Sequence, residues 1–523
     1  MMKRLVILLI IFTFFQTLRA ECQLDANLFT WLKGSNVGNQ TGFYGAPNNP
    51  INTPGSRDES VSWTLNNKLY LFGGYGNDGA GNDGNLNDLW VYDIATNNWT
   101  WLKGSSIRNQ SGDYGVQGVP NAINNPGSRV GSVSWTVNNK LYLFGGSGYG
   151  TNVNAGNGSL NDLWEFDIAT NNWMWLKGNS GINSIGIYGS KGLSSSNNRP
   201  GARFYSNSML YSGDLYLFGG IGYAELTTRG LLNDLWIYNI ATNNWTWMSG
   251  DKLISQHGVY GSIGIASAAN KPGARRSASV WQNSANLYLF GGEGYATDSN
   301  LAERLNDLWE YNPLTNEWKW LKGDNFIYSN SVFGVQGIPK TNNKPGGRIK
   351  SISWTYNGKL YLFGGAIEFN MINELWVYNP NTNNWTWLKG ANTINQVGNY
   401  GVKGVSTNTN IPGARRSSVT WQLDNKLYLF GGFGYDIAST NYLNDLWYFE
   451  ATCVYGDFYS LKSGNWNDPT VWSCGRIPQS FDSVTIKNHI ITVNGNYSAY
   501  ELILEGGQII VPSGFNLTLV VPQ

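Results

Sequence analysis

The 523-residue chain carries 35 Lys and Arg against 34 Asp and Glu, a formal net charge of +1, so it has no basic field to gather nucleic-acid phosphates or to coat an anionic membrane. Its 65 glycines, 24 tryptophans and abundant Asn, Ser and Thr read as many short β-strands. The two histidines, His257 and His489, lie far apart in sequence and argue against imidazole metal sites and a Ser-His-acid triad.

Lys3 and Arg4 precede an apolar run from Leu5 to Phe15, with Ala20 a cleavage point. This pattern predicts a secretory signal peptide over residues 1–20, too short to span a bilayer, and an exported mature chain. In an oxidising compartment a local disulfide between Cys453 and Cys474 is expected to stabilise by about 3 kcal/mol. A rival pairing joins Cys22 to Cys453.

From there to Thr452 one unit repeats. The string LYLFGG ends at Gly74, Gly146, Gly220, Gly292, Gly365 and Gly432, with spacings of 72, 74, 72, 73 and 67; such a period marks one supersecondary unit copied around an array. In the first copy SVSWTL, KLYLFGG, NDLWVYDI and NNWTWL read as four antiparallel strands, with the tryptophans of the last two packing between neighbouring sheets. The apolar run, the Gly doublet and a tyrosine followed by a tryptophan, as in Tyr92 and Trp99, Tyr238 and Trp245, Tyr311 and Trp318, Tyr378 and Trp385, resemble the kelch repeat. Phe166 stands for the tyrosine in the second copy, before Trp173.

The resemblance implies an all-β, six-bladed β-propeller over residues 21–452. The last copy stops at Thr452 without its NNWTWLKG strand, and Asn27 to Gly34, NLFTWLKG, supplies it from the other end with Phe29 in the tryptophan's place. The N-terminal strand is therefore expected to complete the sixth blade and close the ring, which removes exposed edges. The fold is similar to the central domain of galactose oxidase, whose copper ligands are missing here, and the Asp-box of sialidases is absent.

Tight turns such as LNNK and DIATNN fall on one face, and the loops after the second strand and between blades leave on the other, where function is expected. The inter-blade segments keep one length, 25 residues from Gly to Arg in five copies, so they read as ordered. Candidate ligand-binding residues are the recurring Arg57, Arg129, Arg203, Arg275, Arg348 and Arg415, and the loop tyrosines Tyr114, Tyr188, Tyr260 and Tyr400, with Tyr44 and Phe333 at the same step. The arginines either pin loops by bidentate pairing with Asp88, Asp162, Asp234, Asp307, Glu374 and Asp445 or line the channel mouth and hold an anion. The tyrosines either pack the loops or stack on ligand. Asn77, Asp78, Asn82 and Asp83 sit in a glycine-rich loop whose spacing fits no EF-hand, so no metal or other cofactor is expected.

Residues 453–523 change rhythm to short β-runs, predicting a small β-solenoid-like or β-sandwich domain. Its SGNWNDPTVWSCGRIP text resembles a noncatalytic module of secreted and surface proteins of Bacteroidetes-type bacteria. The whole reads as an exported, monomeric binding or adhesion protein for glycan or extracellular protein. A kelch-type sialic acid mutarotase is the enzymatic alternative, and a purely structural scaffold the third.

Overall fold

The computed structural model describes residues 28–46, 49–297, 300–451, 458–473, 477–480, 482–499 and 501–519. The signal peptide and all three cysteines lie outside the described residues. Two compact units emerge, one spanning Phe29–Phe449 and one containing the residues from Glu450 onward.

Six antiparallel sheets repeat one plan in the first unit. In the first blade an innermost strand in two pieces, Arg57–Asp58 and Val61–Leu65, pairs with Lys68–Asn77, then Asp83–Asp93, then the outermost Asn98–Lys103. Asn66 and Asn67 turn the first strand back with φ of 51° and 57°, the positive pair a type I′ turn requires and Asn tolerates. The Gly doublet does not end the second strand. Gly73 and Gly74, at φ 64° and 95°, form a bulge beyond which pairing resumes from Gly74 with Leu86 to Asn77 with Asp83. A Cβ at Gly74 would lie 2.2 Å from the Ser60 hydroxyl, so only glycine fits.

An equivalent aromatic contact recurs at every joint between blades. Trp173 meets Phe72 at 5.6 Å, Trp245 meets Phe144 at 5.4 Å, Trp318 meets Phe218 at 5.4 Å, Trp385 meets Phe290 at 5.5 Å, and Trp99 meets Phe430 at 5.3 Å. The sixth contact is Phe29 on Phe363 at 5.6 Å. Phe29–Lys33 is the outer strand of the last blade, with Phe29 opposite Phe449, Thr30 opposite Tyr448 and Trp31 opposite Trp447. The ring is closed as expected.

The second unit is a parallel solenoid. Phe458–Tyr459, Ser483–Lys487 and Glu501–Glu505 stack in one wall; Gly464–Asn465, Ile490–Thr492 and Gln508–Ile510 in a second; Tyr497–Ala499 and Leu517–Leu519 in a third. Phe458, Trp466, Val471, Trp472, Val484 and Ile486 belong to its core.

Candidate functional site

Each candidate arginine leaves the PGxR turn and enters the blade interior. Arg57, Arg129, Arg203, Arg275 and Arg415 grip Asp88, Asp162, Asp234, Asp307 and Asp445 through both terminal nitrogens at 2.6–2.8 Å. The Nε group donates to a glycine carbonyl two residues back, and Nη1 also donates to the first carbonyl of the Gly doublet. The second carboxylate oxygen also accepts the Tyr44, Tyr114, Tyr188, Tyr260 or Tyr400 hydroxyl, and the indole N–H of Trp90, Trp164, Trp236, Trp309 or Trp447. Burial drives these tyrosine hydroxyls well above their usual pKa, and the carboxylate beside each adds to it. Burial opposes the arginine charge, but the carboxylate outweighs it and the arginines titrate above their usual value.

The arginines are at most 1% exposed, and Tyr114, Tyr188, Tyr260 and Tyr400 at most 4%. This corrects the ligand reading of both sets: the guanidinium groups are saturated inside the blades, and the rings lie edge-on to Trp175, Trp247, Trp320 and Trp31. Their geometry serves to rivet each loop to the blade that follows it. The fifth blade changes two parts of the rivet together. Glu374 reaches Arg348 through one oxygen at 2.6 Å, Phe333 has no hydroxyl to offer, and Ser331 approaches the guanidinium at 3.3 Å.

The channel axis is occupied by residues that the sequence reading passed over, two positions after each arginine. Glu59, Gly131, Tyr205, Ser277, Lys350 and Ser417 each donate a backbone N–H to the carbonyl of the preceding member, 2.8–3.1 Å, so that the six bonds close on themselves. All six have φ between 55° and 62°. Large and small side chains alternate around the ring, because six large ones cannot meet on one axis. The Tyr205 hydroxyl and the Lys350 ammonium both donate to the Glu59 carboxylate, and the ammonium lies 4.3 Å from the Tyr205 ring. That alternation was the available sequence signal.

Below this plug the channel is a well of about 560 Å³, walled by Ser62, Ser134, Ser208, Val280, Ser353 and Thr420. Its hydroxyls stitch blade to blade: Ser134 donates to Ser62 O, Ser62 to Thr420 O and Thr420 to Ser353 O, at 2.9–3.3 Å. Thr64, Thr136, Thr355 and Gln422 line it further along the same strands, toward the tight turns. The well therefore opens on the face opposite the one expected to carry function.

The inter-blade segments do not crowd that face either. Gly118, Gly192, Gly264, Gly337 and Gly404 donate to the backbone carbonyls of Trp175, Trp247, Trp320, Trp387 and Trp31, laying each segment along the outer edge of the next blade. Val119, Leu193, Ile265 and Val405, one residue on, are 48–63% exposed. In the first-blade loop the Asp78 carboxylate accepts N–H groups from Ala80, Asn82 and Arg108; it caps its own turn, and no metal-ligating cluster occurs among the described residues.

Sheet plan, closure and rivets together define a kelch-repeat β-propeller, and the Kelch motif matches residues 56–106, 128–178, 202–252, 277–325 and 351–390. The sixth copy, split between the two ends of the ring, lies outside those matches. The chain is 24% identical over 379 residues to Kelch domain-containing protein 3 of Homo sapiens, covering 70% of this chain and 75% of that one. It is 23% identical over 332 residues to Kelch domain-containing protein 10 of Bos taurus, 62% and 58% covered. A third relative, Tip elongation aberrant protein 1 of Schizosaccharomyces pombe, is 26% identical over 241 residues, which is 46% of this chain but only 16% of that protein.

Proposed function

We propose that the protein is an exported, noncatalytic kelch module that binds another protein through the outer flank of the propeller. The observation carrying this reading is the recurrence of one exposed aliphatic, Val119, Leu193, Ile265 and Val405, on four of the five equivalent ordered segments, Ile338 in the remaining one being only partly exposed. Repeated apolar side chains among amides and hydroxyls suit a protein partner, since interfaces combine apolar contacts with a polar rim. Export rests on the N-terminal pattern over residues 1–20, and attachment to a cell surface on the C-terminal resemblance. Glycan recognition drew on the loop tyrosines as stacking platforms, and their burial removes that support.

The test is affinity capture from the native cell surface with the wild type and with a Leu193→Asp, Ile265→Asp, Val405→Asp triple variant. Specific capture lost in the variant is expected. Capture unchanged by the three substitutions, or a positive glycan array with no protein captured, sinks the reading. The mutarotase alternative would have to recruit the axial carboxylate, so sugar-acid anomer exchange abolished by Glu59→Gln would replace it.

A further inference from the structure

The axial well is walled unevenly. At its deeper level the hydroxyls of Ser62, Ser134, Ser353 and Thr420 donate to backbone carbonyls of a neighbouring blade at 2.9–3.3 Å, which leaves each oxygen able to accept a further bond. One step nearer the tight turns, the hydroxyls of Thr64, Thr136 and Thr355 and the amide of Gln422 have no hydrogen-bond partner among the described residues. Blades three and four break this pattern. Val280 stands where the other blades place Ser or Thr, Leu210 takes the outer level on the blade beside it, and Gln282 is already engaged, its Oε1 accepting the Leu210 backbone N–H at 2.7 Å. In a ring of six, blades three and four lie opposite blades six and one, so the aliphatic strip faces the hydroxyl-rich wall across the well. Among the described residues no charged side chain lines it.

We propose that the well is a binding site for an uncharged, polyhydroxylated ligand the size of one or two sugar rings, entering from the tight-turn face. Its volume of about 560 Å³ falls within the range of roughly 300–1,000 Å³ typical of small-molecule sites. An ion would bury its charge without a partner, because the Glu59 carboxylate is already taken by Lys350 and Tyr205. A wholly apolar ligand would strip water from Thr64, Thr136, Thr355 and Gln422 and return no hydrogen bond. Water alone satisfies those groups but gains nothing at Leu210 and Val280. A sugar ring meets both walls: its hydroxyls reach one, and its C–H face displaces loosely held water from the other. The well is walled by the innermost strands and the flank segments lie along the outermost, so this site does not depend on protein binding at the flank.

The probes are glucose, galactose, mannose, N-acetylglucosamine, cellobiose and maltose, titrated into the full chain and followed by saturation-transfer NMR and calorimetry. Saturable binding of at least one is expected, with its uronic-acid counterpart at least tenfold weaker. Thr64→Val, Thr136→Val and Thr355→Val together keep the shape of the wall but remove its free hydroxyls, and should also weaken binding at least tenfold. The Leu193→Asp, Ile265→Asp, Val405→Asp variant should bind the sugar as the wild type does. The proposal is overturned if no probe binds, if the uronic acid binds as well as its parent, if the three valines change nothing, or if the flank variant loses the sugar. The uronic-acid comparison uses wild-type protein and decides the matter even where a variant fails to fold.

Discussion

In the propeller, most strand edges are covered: inner strands pair within blades, the last blade borrows its outer strand from the N-terminus, and loop segments lie along the outer edges of blades two to six. In the solenoid, Glu501–Glu505 is the last strand of its wall among the described residues, and its Leu504 is half in water. Both units are built from β-strands around an apolar core, and they differ in topology. A ring can close on itself and cover its seams, whereas a linear stack always has a last layer. Stability in the ring should therefore be shared by all blades, and in the solenoid it should decline toward the open end.

The largest expected effect comes from undoing closure. Removing the strand Phe29–Lys33 should lower the thermal unfolding temperature of the propeller sharply, and Phe29→Ala, which empties a fully buried site, should cost about 3–5 kcal/mol in chemical denaturation. A Phe29 variant as stable as wild type would mean that the ring does not depend on its seam.

The rivets come next. Asp162→Ala strands a buried Arg129 and should destabilise by about 3–5 kcal/mol. Glu374→Ala, where pairing runs through one oxygen and the tyrosine is already missing, should cost measurably less. Equal losses would contradict the inequality drawn from the geometry.

Within the solenoid the contrast is between layers. Ile486→Ala should cost about 2–5 kcal/mol, and Leu504→Ala, half exposed in isolation, about 1 kcal/mol. A protein whose Leu504→Ala loss matches that of Ile486→Ala would already have the last rung covered.

The smallest effect is at the seam in acid. Burial alone would raise the Asp436 carboxyl, but N–H groups of Ser439, Gly38 and Ala438 and the Asn441 amide outweigh it and hold it below its ordinary value of 3.8. A carboxyl that titrates lower folded than unfolded contributes fully above that ordinary value and loses its contribution as pH falls through the folded one. Asp436→Asn should flatten the fall in melting temperature below about pH 4 while lowering stability near neutrality. An unchanged acid profile would exclude this carboxylate from the response.

Period, blade count and closure were legible because a copied unit exposes its own spacing, and because Phe29 occupies the place of Trp in a string otherwise repeated. The pairing of the recurring arginines with the recurring acids was also readable, since both sets keep the same rhythm. What sequence could not resolve was depth. A charged residue that recurs beside a turn reads the same whether its guanidinium faces solvent or points into the blade, and only the bulge at Gly73 and Gly74, which presents a carbonyl to Arg57, turns it inward. The direction of the inter-blade segments was equally hidden. Their constant length showed order, but the backbone bonds from Gly118 to Trp175 and its counterparts join residues that no local pattern links.

The knot of Glu59, Tyr205 and Lys350 has a consequence for traffic. With the axis stoppered at one end, nothing can thread the disc from side to side: a solute reaching the serine-walled chamber arrives and departs through a single doorway, and whatever covers that doorway holds its contents captive.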